Sequence, residues 1–418
     1  MKILVASPLL YHAACGSGGG LICWRFLRAL AEQHEVALVA FSTLPASEEA
    51  LAKADLGAFC CTVQVLPLPE PSAASCLRAR AGQWLGGPPT EARAFDVPAM
   101  RAALRDVAAR FMPDVLLLQF PYMAQYAGVL PGVPTVADVQ DVFFVSRLRE
   151  YAAQRQTLPR LKRQVAWLAW TRYEMRWYSR CQALMALTEP DRHALHALVP
   201  EVPAHTVPAV VESRVGAELA PAEHLVVGFG GHFGHAPNLD GLIWLNTEIA
   251  PLLAARIPGV RIIVAGKAAP ESVRRNLHPA IGLEGFVDDY DRFVARCSVF
   301  LAPMRFGGGV KVKVLEALSC ARPVVTTPVG GEGIDVSADD GLRVVVGANA
   351  LVAATAAWLE APAAAAAAGR RGAATVARRF GAASALQRFE ALAAPLRLST
   401  GRAGTADPAS VAGGVCDA

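Results

Sequence analysis

Short apolar runs rich in β-branched residues alternate with amphipathic stretches, and the alternation occurs twice along the chain. The first series holds KILVAS, EVALVAF, VQVLPL, DVLLLQF and PTVADV, with the helix-like LICWRFLRALAEQ after the first of them. Parallel strands need long crossovers, usually helical, so brief strands separated by helices imply βα units in parallel sheets. The alternation pauses over residues 204–224, where proline and charge replace any clear period and a linker is expected. A second series comes after it: LVVGFGG, RIIVAGK, SVFLAP and RPVVTTP. Two Rossmann-like α/β domains are expected, at residues 1–207 and 222–375, facing a central cleft. Ligands of such sheets bind beyond the carboxyl ends of the strands. A chain of 418 residues is long for one core and ample for two.

The composition fits this reading, with 53% hydrophobic and 18% charged residues, as buried parallel strands require. A net charge of +4 makes no demand for a nucleic-acid partner. Nine scattered cysteines form no Cys-x-x-Cys pair and show no zinc spacing. Free thiols in a reducing, cytoplasmic setting are therefore expected. MKILVASPLL breaks at Pro8 and reads as a first strand, not a signal peptide. No run of about 18 uncharged apolar residues occurs, so no membrane span is expected. The alanine run Ala363 to Ala368 fits either a helix or low complexity. Val376, Phe380, Ala383, Leu386, Phe389 and Leu392 recur at helical spacing, predicting a helix over 376–396. The small, polar, glycine-rich tail 397–418 is expected to be disordered.

One stretch carries most of the chemistry: RFGGGVKVKVLEALSCARPVVTTPVGGEG, Arg305 to Gly333. The strand SVFLAP ends at Pro303, and Gly307, Gly308 and Gly309 then remove side chains where a ligand must approach backbone. The helix after them offers free N–H groups and the positive end of its dipole. Lys311 and Lys313 add full charges. Glu316, three residues after Lys313, lies on a neighbouring position of one helix face. A cation for phosphates beside a carboxylate for ribose hydroxyls suits a nucleoside diphosphate. The same spacing equally fits a surface ion pair after an ordinary glycine turn.

GGGVKVKVLEALSCARPVVTTPVGGEGI resembles the nucleotide-sugar motif of glycosyltransferase family 4. VVGFGGHFGHAPNLDGLIWLNTEIAPLL, RIIVAGKAAP and IGLEGFVDDYDRFVARCSVFLAPM resemble successive units of that family's C-terminal domain, in the family's order. LMALTEPDRHAL with TVPAVVES resembles its passage between domains. The resemblance implies the GT-B fold: two facing Rossmann-like domains, with a C-terminal helix crossing back to the first. It assigns the diphosphate to Lys313 and to the N–H groups of Gly308 and Gly309. It assigns the ribose to Glu316, the nucleobase to backbone at Val287, and a cleft-facing position to Glu332. The first glutamate of the family's Glu-x7-Glu motif is absent, since Gly308 stands eight residues before Glu316. The family's frequent Arg/Lys pair early in the C-terminal domain is also absent, and His232, His235 and Asn238 occupy that neighbourhood. His232 suits a phosphate hydrogen bond or an ordinary loop position.

In the N-terminal half, CGSGGG, Cys15 to Gly20, comes after the first strand but does not match G-x-G-x-x-G. By resemblance the loop, with Gly18 and Gly19, borders the donor and acceptor sites. TVADVQDVFFVSR carries Gln140 where many family members have histidine. Asp138 and Asp141 both stand where a strand end reaches the cleft. Asp141 fits a contact to the transferred sugar, removal of the acceptor proton, or a helix N-cap. The segment 147–180 is basic, with interleaved tryptophans and tyrosines. It suits either a helix touching an anionic membrane, where a lipid-linked acceptor sits, or an interdomain helix with a solvated basic face.

The function expected is retaining transfer of a hexosyl unit from a nucleoside-diphosphate sugar to a hydroxyl of a glycan, lipid-linked or small-molecule acceptor. Lys313, Glu316 and Asp141 are the expected catalytic residues. No metal or other cofactor is expected, for want of an Asp-x-Asp motif in a suitable loop, and no nucleic-acid partner. The setting is polysaccharide biosynthesis in the cytoplasm or at the inner face of the membrane. A nucleotide-sugar epimerase of the same architecture, and a catalytically silent nucleotide-sugar-binding partner, are the alternatives.

Overall fold

The computed structural model describes residues 1–13, 18–216 and 222–399. Seven strands form the first sheet: β1 Lys2–Ser7, β2 Glu35–Ser42, β3 Thr62–Pro67, β4 Val115–Gln119, β5 Thr135–Val139, β6 Ala183–Ala186 and β7 Ala204–Thr206. All neighbours are parallel, in the order β3-β2-β1-β4-β5-β6-β7. Six strands form the second: β8 Val226–Gly230, β9 Arg261–Ala265, β10 Ile281–Gly285, β11 Val299–Ala302, β12 Val324–Thr326 and β13 Leu342–Val344. They too are all parallel, in the order β10-β9-β8-β11-β12-β13. The central strands are buried on both faces, which is why they read as unbroken apolar runs.

Chain order reverses at β1–β4 in one sheet and at β8–β11 in the other, and such points open a crevice beyond the strand ends. Seven helices shape that crevice and the surfaces near it: α1 Gly18–Ala31, α2 Ala73–Trp84, α3 Phe143–Ala153, α4 Thr157–Tyr178, α5 Val312–Ser319, α6 Pro362–Phe380 and α7 Ala382–Ser399. α1 comes after β1 and α5 after β11, so a helix N-terminus stands at each reversal.

The passage between the sheets is sewn into both cores. Val207 and Val210 pack in the first domain, Ala209 and Val211 in the second. The helix predicted over 376–396 is divided. Val376 and Phe380 end α6 in the core of the second domain, whereas Leu386, Phe389 and Leu392 of α7 pack on the first. Gly381 makes the corner, where a Cβ would lie 2.3 Å from the Ala377 carbonyl oxygen. The alanine run lies within α6, with Ala365 and Ala368 buried. α7 reaches Ser399, so the expected tail begins later, and residues 400–418 lie outside the described part.

Candidate functional site between the two sheets

Lys313 sits at the β8–β11 reversal. Its Nζ donates to Asn238 Oδ1 at 2.6 Å and stands 5.0 Å from the centre of the Phe229 ring. Gly231 leaves room for it, since a Cβ there would lie 2.8 Å from Nζ. Burial pushes the ammonium down to about pKa 7, Lys311 adds to the fall, and Glu316 opposes it. The N–H groups of Gly308, Gly309, Val312 and Lys313 donate to no described residue. These are the orphan donors of a helix start, beside a cation.

Lys311 has a different part from the one expected of it. Its Nζ turns back onto the carbonyl oxygens of Gly308 and Gly309, at 2.7 and 2.6 Å, and is buried there. It braces the glycine loop, in which Gly309 holds φ +61°. A Cβ on Gly308 would come within 2.3 Å of Asp141 Oδ1. The loop thus packs on the first domain, which is the steric reason that no glutamate stands at that position.

Glu316 points across the cleft to α1. Its Oε1 accepts from Arg25 Nη1 at 3.2 Å, the two side chains being only 14% and 8% exposed. Burial raises the Glu316 pKa, and Arg25 opposes the rise. Gly18, the first residue of α1, faces α5: a Cβ there would lie 3.7 Å from Val312 Cγ2. A Cβ on Gly19 would lie 3.3 Å from the Phe120 ring. Phe120 holds φ +65° at the end of β4, a conformation costly for an aromatic residue and found where surroundings impose it. Residues 15–17 of the glycine loop lie outside the described residues.

Asp141 lies between β5 and α3, against the glycine loop. Burial and then Asp191 raise its pKa to about 6, while Lys311 and Arg147 pull it down. It does not cap α3. The α3 N-terminus is held by Glu174 of α4, which accepts from the N–H groups of Phe143 and Phe144 at 3.0 and 2.8 Å. Asp138 departs from its expected place: it is fully buried behind the strand end and accepts from Gln140 Nε2 at 2.7 Å. Burial pushes it up to about 7.

Glu332 also faces the first domain, where Arg149 of α3 grips it with two hydrogen bonds of 2.7 and 2.5 Å. His232 is exposed, and its Nδ1 accepts from the Gly234 N–H at 3.2 Å. The His235 pKa is depressed by its surroundings, by burial first and then by Lys313 and Lys311. Val287 lies just past β10, the outer strand of its sheet, and packs on the second domain's core. Among the described residues no group of three or more His, Cys, Asp or Glu is disposed to hold a metal ion. The one Asp-x-Asp triplet is otherwise engaged: Asp289 caps a helix and Asp291 pairs with Arg214.

Sequence patterning does not mark Arg25, Arg149, Glu174 or Asn238 as site residues. Their partners lie 291, 183, about 30 and 75 residues away, respectively, so no local spacing reveals them. The one sequence signal is a charge among apolar residues, as at Arg25 in α1, a helix that carries Arg28 as well.

Comparison with known proteins agrees with this architecture. Residues 224–361 match the family model of glycosyl transferases group 1. An uncharacterized 44.6 kDa protein in the cps region of Klebsiella pneumoniae is 30% identical over 119 residues, which span 25% of this chain and 29% of that protein. Sucrose-phosphate synthase from Thermosynechococcus elongatus superposes with TM-score 0.68 at 17% identity, covering 96% of this chain and 100% of that one. HepE of Anabaena, solved with UDP and glucose, gives TM-score 0.64 at 16% identity, with 94% and 100% covered. TarM gives 0.68 at 11% identity, with 94% and 98% covered. The chain thus has the GT-B fold, and its residues 224–361 resemble the group 1 glycosyl transferases.

Proposed function

We propose that this chain transfers a hexosyl unit from a nucleoside-diphosphate sugar to an acceptor hydroxyl on a glycan, lipid-linked or small molecule, with retention of configuration. One observation carries the reading. Lys313 and a run of N–H groups that donate to no described residue meet at the β8–β11 reversal, facing the start of α1 across the cleft. HepE binds UDP and glucose, which supports a nucleotide-sugar donor here. A place in polysaccharide biosynthesis draws support from the relative in the cps region.

In this mechanism the diphosphate lies against Lys313 and the α5 N-terminus, which stabilise the charge that grows on the leaving group. A half-buried ammonium whose described hydrogen-bond partner is the neutral Asn238 amide gains more from such an anion than one exposed to water. Glu316 accepts the ribose hydroxyls, sharing its carboxylate with Arg25. The backbone at Val287 meets the nucleobase, and His232 offers its free ring nitrogen to a phosphate. Asp141, with a pKa of about 6, is mostly ionised at neutral pH and takes up a sugar hydroxyl or the acceptor proton. No cofactor beyond the donor is required. The protein acts in the cytoplasm, and for a lipid-linked acceptor it rests against the membrane's inner face through part of 147–180.

A thermal-shift screen against UDP-, GDP-, ADP- and dTDP-sugars tests the reading. A donor that binds the folded state raises the midpoint with concentration. No shift with any of them at millimolar concentration would remove the donor assignment.

A further inference from the structure

Two neighbouring helices of the first domain carry an apolar surface that no described residue covers. α2 packs beside α4 but buries no side chain. Its Leu77 and Trp84 lie seven residues apart on one side, and Leu85 just beyond is 88% exposed. α4 turns Trp170, Tyr173 and Tyr178 inward. It turns Leu158, Leu161 and Leu168 outward, with Leu158 73% exposed. Spacings of three and seven place these leucines on one stripe. The helix is therefore apolar on its solvent side as well as on its core side.

The charge around that stripe has one sign. Arg78 and Arg80 stand exposed on α2, and Lys162, Arg172 and Arg176 on α4. α2 has no acid, and the single acid of α4, Glu174, is fully buried beneath the stripe. The Arg176 and Arg180 guanidiniums both stack near Trp177, at 5.3 and 4.6 Å from its ring. Two basic residues of α3 are engaged elsewhere. Arg147 pairs with Glu91 and Glu150, and Arg149 crosses to Glu332.

We propose that the α2–α4 face docks on the headgroup layer of an anionic lipid bilayer. Exposed leucine and tryptophan enter the boundary with the acyl chains, while arginine and lysine meet the lipid phosphates. Cations near an anionic leaflet add to one another, so the six named here suffice for reversible docking. A second copy of the chain is the poorer occupant, because it brings the same cations face to face. No single described helix is long and apolar enough to cross a membrane, so the contact is one of lying on the surface. α4 forms a hairpin with α3, whose Arg149 reaches the cleft, so the docked face is joined to the site. The use of that link for a lipid-linked acceptor rests on the function proposed above; the docking does not.

Flotation of the full chain with vesicles tests it. Phosphatidylcholine vesicles containing about a quarter phosphatidylglycerol are expected to carry the protein, pure phosphatidylcholine much less, and about 0.5 M salt to release it. Leu158→Ser/Leu161→Ser/Leu168→Ser and Arg172→Ser/Arg176→Ser are each expected to cut the bound fraction by about tenfold. Nucleotide-sugar binding by the same soluble variants, read by thermal shift, is expected to be unchanged, which shows that they fold and separates this outcome from failure of the donor site. No binding to anionic vesicles would overturn the proposal. So would equal binding by the variants, or a wild-type dimer that the leucine variants dissolve.

Discussion

Binding of a nucleotide sugar should draw a proton onto Lys313. The ammonium, half-buried and near Lys311, has its pKa pushed down to about 7, so near neutrality it is about half charged. A diphosphate favours the charged form and raises that value in the complex. The sign is then fixed: affinity is full below pH 7 and falls as pH rises through 7, until the pKa of the bound form is reached. If the bound lysine stays protonated, the apparent Kd scales as 1 + 10^(pH − 7), about tenfold weaker at pH 8 than at pH 6, or ~1.4 kcal/mol. A nucleotide sugar is the right probe, since its diphosphate carries no group titrating in this range, whereas a free nucleotide does. Asp138, near 7, and Glu174, near 8, titrate in the same window from 6.5 to 8.5, so the lysine is singled out by its own variant. Calorimetry in buffers of differing ionisation enthalpy reads the proton directly. Lys313→Arg keeps its charge throughout and should flatten the profile. A Kd independent of pH across this window, with no proton taken up by the wild type, would refute the reasoning.

Other consequences are as direct. Glu316→Gln should weaken binding of ribose-containing donors more than binding of pyrophosphate, read by competition calorimetry; equal losses would remove its ribose role. Gly308→Glu restores the family's glutamate but drives a side chain into Asp141, so it should open the cleft, with a larger radius of gyration in solution scattering. Pairing it with Asp141→Ala should recover part of the closed form. Arg25→Ala leaves a mostly buried Glu316 without its partner and should cost about 3 kcal/mol in denaturant unfolding, less in the Arg25→Ala/Glu316→Gln double variant. Glu174, raised by burial to about pKa 8, contributes stability that is present below pH 4.5 and is lost as pH rises through 8. Glu174→Gln should therefore flatten the fall in stability between pH 5 and 8.

The fold was largely legible because each central strand is long enough, and buried enough, to read as an apolar run. β6, β7 and β13 have only three or four residues, and unlike the equally short β11 and β12 they are not set in a run such as SVFLAP or RPVVTTP. The helix over 376–396 misled for a physical reason: helical spacing continues through Gly381, although the side chains on its two sides serve different domains. At the site, Lys313 was marked by glycines, by spacing and by resemblance, all within one segment. Lys311 was read as a second charge after the same glycines, yet its flexible stem folds back onto carbonyls two and three residues away, which no motif records. Asp138 and Asp141 sit three residues apart at one strand end, but the pleat sends the first inward. Arg25 and Arg149 belong to the site only because the domains close, and closure is a property of the packed molecule.

The most direct measurement is the affinity of Lys313→Ala for the best donor of the screen, by calorimetry near pH 6.5, beside a thermal melt showing that the variant folds. A loss of about 1.5–3 kcal/mol, the scale of a charge-assisted hydrogen bond, is the result this account requires. A folded variant that binds its donor as tightly as the wild type would contradict it.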